Sequence, residues 1–216
     1  QSTVFIVDRP DSVQSIILAG HVAPPQNNDE DIAIEAMNEV LGGSFAARIN
    51  MNLREDKHWS YGARSLLLDA EGQRPFIVYA PVQTDKTKES MAEIYSEVSG
   101  ILGERPPTSD EIARAKDKST LTLVGRWETA NAVASSLAEM VRFDLPDNYW
   151  EEYPEMVRSL SEDQVADAAK TVVRPDNMVW VVVGDRAKIE EGISELEFGE
   201  IILMDADGNV LEQPGG

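Results

Sequence analysis

Leu41-Gly42-Gly43-Ser44-Phe45-Ala46-Ala47-Arg48-Ile49-Asn50-Met51-Asn52-Leu53-Arg54-Glu55 runs on through Trp59-Ser60-Tyr61-Gly62, and its reading decides the fold. A Gly-Gly break joins two helices. Upstream of it, Ile34, Met37, Val40 and Leu41 recur at three- and four-residue spacing, which makes one apolar helical face. Asp29, Glu30 and Asp31 suit the positive end of that helix's dipole. Gly42 reads as the residue just past the helix end, in left-handed geometry. Ser44 reads as the cap of a second helix, whose apolar stripe is Phe45, Ile49 and Leu53. That helix ends at Arg54, and Tyr61 opens a strand seven residues later. An Arg at a helix end and a Tyr on the adjacent strand can converge on one point. Both donate hydrogen bonds, so together they suit a carbonyl or a developing oxyanion. On spacing alone, the plainer alternative is an Arg paired with a carboxylate and a Tyr capping the sheet edge.

Working outward, residues 4–7 and 13–19 read as neighbouring antiparallel strands. Residues 61–68 and 75–82 read as a second strand pair. Four helices then follow. The first covers 85–102. The second starts at the capping box Thr108-x-x-Glu111 and stops before Gly125. The third covers 129–143. After a short helix near 149–160, Ser161-x-x-Gln164 is a second capping box and opens the last of them. Residues 178–183 are the most apolar run and read as a central strand. Gly184-Asp185 reads as a strand-to-helix turn with Asp185 as the cap. Residues 201–204 form another strand, and Asp207-Gly208 turns the chain toward Val210-Leu211. Strand pairs and helix runs alternate in blocks. That order predicts an α+β fold of two layers, a mostly antiparallel sheet with helices on one face. Residues 1–216 show no linker and read as one domain.

The composition narrows the function. In 216 residues there are 39 acidic side chains, 19 Lys or Arg and no Cys, for a net charge of −20. Disulfides, zinc ribbons, iron–sulfur sites and a cysteine nucleophile are excluded. Phosphate-backbone binding needs clustered cations, so nucleic acid is not an expected partner. No apolar run reaches the about 18 residues of a membrane span. The two histidines, His21 and His58, are too far apart for an HxxEH or HExxH metal pair. Glu55-x-x-His58 has the spacing of di-iron bundles, but no second copy exists. His21 therefore reads as structural and His58 as a surface residue at a helix end. No P-loop, dinucleotide fingerprint or nucleophile elbow occurs. Asp205-Ala206-Asp207-Gly208-Asn209 has calcium-like letters, but its glycine comes too early for an EF-hand loop.

The opening stretch resembles a signature of the insulinase/pitrilysin zinc peptidases, which include the mitochondrial processing peptidases. It is similar to their second, non-catalytic domain type. Leu41-Gly42-Gly43, Arg48-Ile49, Leu53-Arg54-Glu55 and Tyr61 carry the likeness, and the late run ending in Val183-Gly184-Asp185 supports it. The resemblance implies a LuxS/mitochondrial processing peptidase-like fold and paired homologous domains around a chamber. One domain type carries zinc on HxxEH; the other lacks it and contributes an Arg–Tyr pair. By that resemblance Arg54 and Tyr61 hold the scissile carbonyl at a zinc site on a partner domain, in the same chain or in a second subunit. The substrate is then a peptide, zinc belongs to the partner, and this chain alone is inactive. Lys57-His58-Trp59-Ser60 departs from the family's Gly-Leu-like approach to the Tyr. Trp59 either lines the cleft and binds substrate or packs in the core. The alternative is a scaffold or peptide-binding domain without a proteolytic role, as in family relatives within respiratory complexes. The start at Gln1, with no initiator Met, suggests a piece of a longer bacterial zinc protease. Its compartment is left open, and periplasm and cytoplasm both tolerate a chain without cysteine.

Overall fold

The computed structural model describes residues 2–211. Six strands form one sheet: β1 (Thr3–Asp8), β2 (Gln14–Ala23), β3 (Arg64–Leu67), β4 (Arg74–Gln83), β5 (Val179–Gly184) and β6 (Glu200–Met204). Their order is β3-β4-β2-β5-β1-β6. The β3–β4, β4–β2 and β2–β5 pairs are antiparallel, while β5–β1 and β1–β6 are parallel. The mostly antiparallel α+β architecture is therefore as expected.

One neighbour relation differs. The sequence reading made β1 and β2 adjacent, but β5 lies between them. Its Val179-Trp180-Val181-Val182-Val183 run pairs on both edges, Val182 with Ile6 on one side and with Ile17 on the other. A β-branched run of this kind is better satisfied inside a sheet than at its edge. The link from β1 to β2 crosses the end of β5. Arg9 donates its N–H to the Gly184 carbonyl at 2.7 Å, and Asp11 donates its own to Asp185 Oδ2 at 3.1 Å. Asp185 is thus a clasp for this crossing and makes no side-chain cap on the helix it precedes.

Alternation places the core on one face. Ile17 and Ala19 on β2, Phe76, Val78, Ala80 and Val82 on β4, and Trp180 and Val182 on β5 are buried. Helices cover that face: α1 (Asp31–Asn38), the short α2 (Arg48–Asn50), α3 (Thr87–Gly100), α4 (Ser109–Leu121), α5 (Ala130–Arg142), α6 (Tyr149–Ser159), α7 (Glu162–Val172) and α8 (Arg186–Ser194). The intervening β positions, such as Leu18, Ile77 and Val181, line a broad open trough on the opposite face. Both predicted capping boxes are formed, at Thr108/Glu111 and Ser161/Gln164. Asp207-Gly208 does turn the chain: Gly208 sits at φ 88 and Met204 bridges Val210. Among the described residues no helix is long and apolar enough to cross a membrane.

Candidate functional site

The segment 39–62 is where local sequence and local structure part company. Past Asn38 the helix widens into a π-helical turn over Glu39–Gly43. Gly42 is therefore not a left-handed terminator. Its missing Cβ serves a close approach, because a Cβ there would sit 2.3 Å from the Ser65 backbone N. The turn can thus lie directly on β3. Ser44 does not cap the next helix either; its hydroxyl donates to the Glu39 carbonyl at 3.2 Å, and the helix starts after Ala47 without a side-chain cap. Phe45 stands before the helix and is 61% exposed, so the buried stripe reduces to Ile49 and Leu53. After α2 the chain widens again into a π-helical stretch over Met51–Asp56, which carries Arg54. Wide turns of this kind re-aim side chains and recur at functional sites.

Asn50 ties the loops together. It is buried, donates to the Phe45 carbonyl at 2.7 Å and accepts the Ala63 N–H at 3.1 Å. Arg48 clamps the same region to α4. Its Nε and Nη2 donate to Glu111 at 2.7 and 2.6 Å, and Nη2 also reaches the Pro106 carbonyl at 2.9 Å. Glu111 Oε2 meanwhile accepts the Thr108 N–H at 2.9 Å. Enclosure opposes its ionisation, but the Arg48 and Thr108 hydrogen bonds outweigh that and hold the carboxyl down at about 2.

Between these loops and β3 lies a groove of about 430 Å³. Arg54 lines it, together with Phe45, Gly62, Arg64, Tyr79 and Lys118. The Arg54 guanidinium lies 4.6 Å from the Phe45 ring centre, and its Nε is 3.2 Å from Glu55 Oε1. Tyr61 immediately precedes Gly62 of the groove wall. It is 88% exposed, and its hydroxyl has no partner among the described residues. The Ser60 bridge to Val82 fixes the backbone just before it. Trp59 is half-buried against the core, with Lys57 Nζ at 5.4 Å and Lys86 Nζ at 5.8 Å from its ring. Arg64, Tyr79 and Lys118 were not apparent from sequence spacing. Only the β3–β4 register, which puts Arg64 opposite Tyr79, brings that pair to the groove.

A second cavity, of about 270 Å³, lies on the other side of Lys118. Asp31, Glu35 and Asp69 crowd there around the fully buried Arg74, at 2.5, 3.1 and 3.4 Å from its guanidinium. Enclosure, then Asp31, pushes Glu35 up to about 8; enclosure outweighs Arg74 and lifts Asp31 to about 6. Lys118 borders both spaces, and it bonds at 2.6 Å to Glu39, which of the two lines only the second.

The histidines take no part in either space. His58 is at a helix end, with Nδ1 3.0 Å from the Arg54 carbonyl. It adopts φ 59, a left-handed value that a residue with a Cβ takes up rarely. His21 stacks on Phe76 at 5.0 Å. Its Nε2 accepts the Arg174 N–H at 3.2 Å, so Nδ1 carries the proton and donates to the Val22 carbonyl at 3.1 Å. Burial lowers the His21 pKa. Among the described residues no three acidic or imidazole side chains converge as metal ligands.

No curated protein sequence matches the chain. Among solved structures it is similar to the peptidase M16 inactive domain from Pseudomonas fluorescens, with a TM-score of 0.76 and 22% identity over 85% of this chain and 44% of that one. The chain thus spans less than half the length of that relative. It also resembles the inactive peptidase domain of a proposed zinc protease from Bordetella parapertussis (TM-score 0.68, 13% identity, 82% of this chain and 94% of that). A chain of complex III2 from Candida albicans shares the fold as well (TM-score 0.72, 14% identity, 89% and 49%). The family model of the peptidase M16 inactive domain matches residues 1–119, more than half of the chain, and that span contains the Gly-Gly turn, Arg54 and Tyr61. Because that model matches more than half of its residues, the chain belongs to the peptidase M16 inactive domain family.

Proposed function

We propose that this chain is the non-catalytic half of a zinc endopeptidase. In this reading it completes a peptide chamber with a homologous domain that bears HxxEH. Arg54 and Tyr61 reach the active site there, and Trp59 forms adjoining wall. Zinc, held by the partner, would activate the attacking water. The carrying observation is the pairing of family membership with a half-buried Arg54 and an exposed Tyr61 beside one groove. The Tyr61 hydroxyl, without a partner among the described residues, can donate to a carbonyl whose oxygen gains charge. The Arg54 guanidinium is held on Phe45 and offers N–H groups to the same oxygen. Residues 1–216 would act as one domain of a longer or two-subunit protease.

The test is reconstitution. Alone, the chain should hold no zinc and cut nothing; with its HxxEH-bearing partner it should cleave unfolded peptides. Arg54→Ala or Tyr61→Phe should lower turnover about tenfold to a thousandfold, the scale of one oxyanion donor. Full activity in both variants would remove the role assigned to them. The likeness to a complex III2 chain supports a second reading, a scaffold without proteolysis. Absence of HxxEH from both the rest of the reading frame and the neighbouring gene would favour it.

A further inference from the structure

The groove beside Arg54 has the opposite sign from the protein that contains it. Acidic residues outnumber basic ones 39 to 19 in the chain, yet no Asp or Glu lines this space. Arg54, Arg64 and Lys118 do. Lys118 is committed to Glu39 and to the Gly43 carbonyl, and Arg54 shares its Nε with Glu55. Arg64 has no carboxylate partner among the described residues. Its guanidinium lies 5.4 Å from the Tyr79 ring centre, and the strand register keeps it there, since Arg64 on β3 is opposite Tyr79 on β4. A guanidinium resting against a ring keeps its N–H edge available and loses little freedom when it binds. A neutral carbonyl would leave that charge uncompensated. A carboxylate would match the planar fork with two charge-assisted bonds. A cleft lined by one sign of charge also concentrates the opposite sign.

We propose that Arg64 is a specificity-determining residue that binds a carboxylate of the peptide, next to the carbonyl position assigned to Arg54. The ligand's being a peptide rests on the peptidase reading above; the preference for an anion rests on the groove. Two sources share that chemistry, an acidic side chain within the peptide and its C-terminal carboxylate. The overall charge of −20 would then oppose this selection, because the groove favours a ligand of the same sign as the surface around it.

Fluorescence anisotropy with four labelled decapeptides tests this. They share one sequence, with Glu or Gln at a central position and a free or amidated C-terminus. On the wild-type chain at low salt, a carboxylate-bearing peptide should bind about tenfold tighter than its neutral twin. Whichever arm carries the gain identifies the source. Arg64→Gln should abolish the preference, Arg64→Lys should keep part of it, and circular dichroism should show the same fold in all three. Equal binding of charged and neutral peptides overturns the subsite and leaves the peptidase reading standing. So does a preference that survives Arg64→Gln. Failure of every peptide to bind also overturns the subsite, while the peptidase reading stands or falls on the reconstitution with its partner.

Discussion

The Arg54 guanidinium lies 4.6 Å from the centre of the Phe45 ring, on the far side of the Gly42-Gly43 turn from the helix that precedes it. Phe45 is 61% exposed, so burial does not account for its position. An exposed cation–ring contact contributes about 0.5–1 kcal/mol, enough to bias where a flexible Arg points.

If that contact orients Arg54, Phe45→Leu should leave thermal stability nearly unchanged. In the reconstituted protease it should lower kcat about threefold, with little change in KM, the factor expected for an RT-sized loss of orientation. Steady-state kinetics on one peptide decides it. An unchanged kcat would mean that Glu55, 3.2 Å from Arg54 Nε, suffices to hold the side chain.

Glu111→Gln keeps the capping box, since Gln serves equally at that position, but removes the charge opposite Arg48. Both partners are largely buried, at 13% and 18% side-chain exposure. The variant should lose about 2 kcal/mol in urea unfolding at pH 7. Because Glu111 is held at about 2, below its usual 4.5, its contribution is present above pH 4.5 and fades as pH falls toward 2. The gap between wild type and variant should therefore narrow in acid.

Glu35 has the reverse sign. Raised from 4.5 to about 8, it favours folding in its protonated form, so its contribution is full below pH 4.5 and is lost as pH climbs through 8. Asp31 acts in the same sense over the window from 3.8 to about 6. The wild-type urea midpoint should fall between pH 5 and pH 8.5. Glu35→Gln should flatten that decline, leaving only the Asp31 part. With 41% of its side chain exposed, Glu35 is partly screened, so a slope is the useful readout. Identical slopes in both proteins would show that Arg74 neutralises Glu35 fully.

His58 holds a left-handed backbone with a Cβ in place. His58→Gly should gain about 0.5–1 kcal/mol, and His58→Val should lose about 1–2 kcal/mol because a β-branched residue fits that region worst. Chemical denaturation of the two variants measures both. A loss in the glycine variant would give the contact from His58 Nδ1 to the Arg54 carbonyl more weight than its exposed position suggests.

How much of this could be read from the sequence follows from the range of the forces involved. Capping boxes at Thr108 and Ser161 act over three residues, and both form where their letters stand. The β3–β4 hairpin is likewise local. The roles of Gly42, Ser44 and Phe45 misread because π-helical turns shift every later side chain, and nothing in Glu39–Gly43 announces the extra residue per turn. The place of β5 between β1 and β2 depends on competition between strands far apart in the chain. Arg54 and Tyr61 stood out through a family pattern. Arg64 did not, because its meaning lies in a neighbour across the sheet. The cluster around Arg74 joins Asp31 and Glu35, one turn apart on α1, to Asp69 from the β3–β4 link, and no spacing rule ties that link to α1.

The position of β5 also bears on how the chain comes to be folded. Thr3 must wait for Val179 before it has a hydrogen-bonded neighbour, and β6 cannot join until β1 is in place. Contacts of such high sequence separation slow folding. During synthesis β2–β3–β4 can assemble early, while β1 and one edge of β2 stay open until the last fifth of the chain emerges. Until then those edges are open to mispairing with other chains. The segment that carries the family signature, 1–119, therefore lacks the strand that joins its own two sheet fragments. Its groove wall is encoded early in the chain and made rigid late.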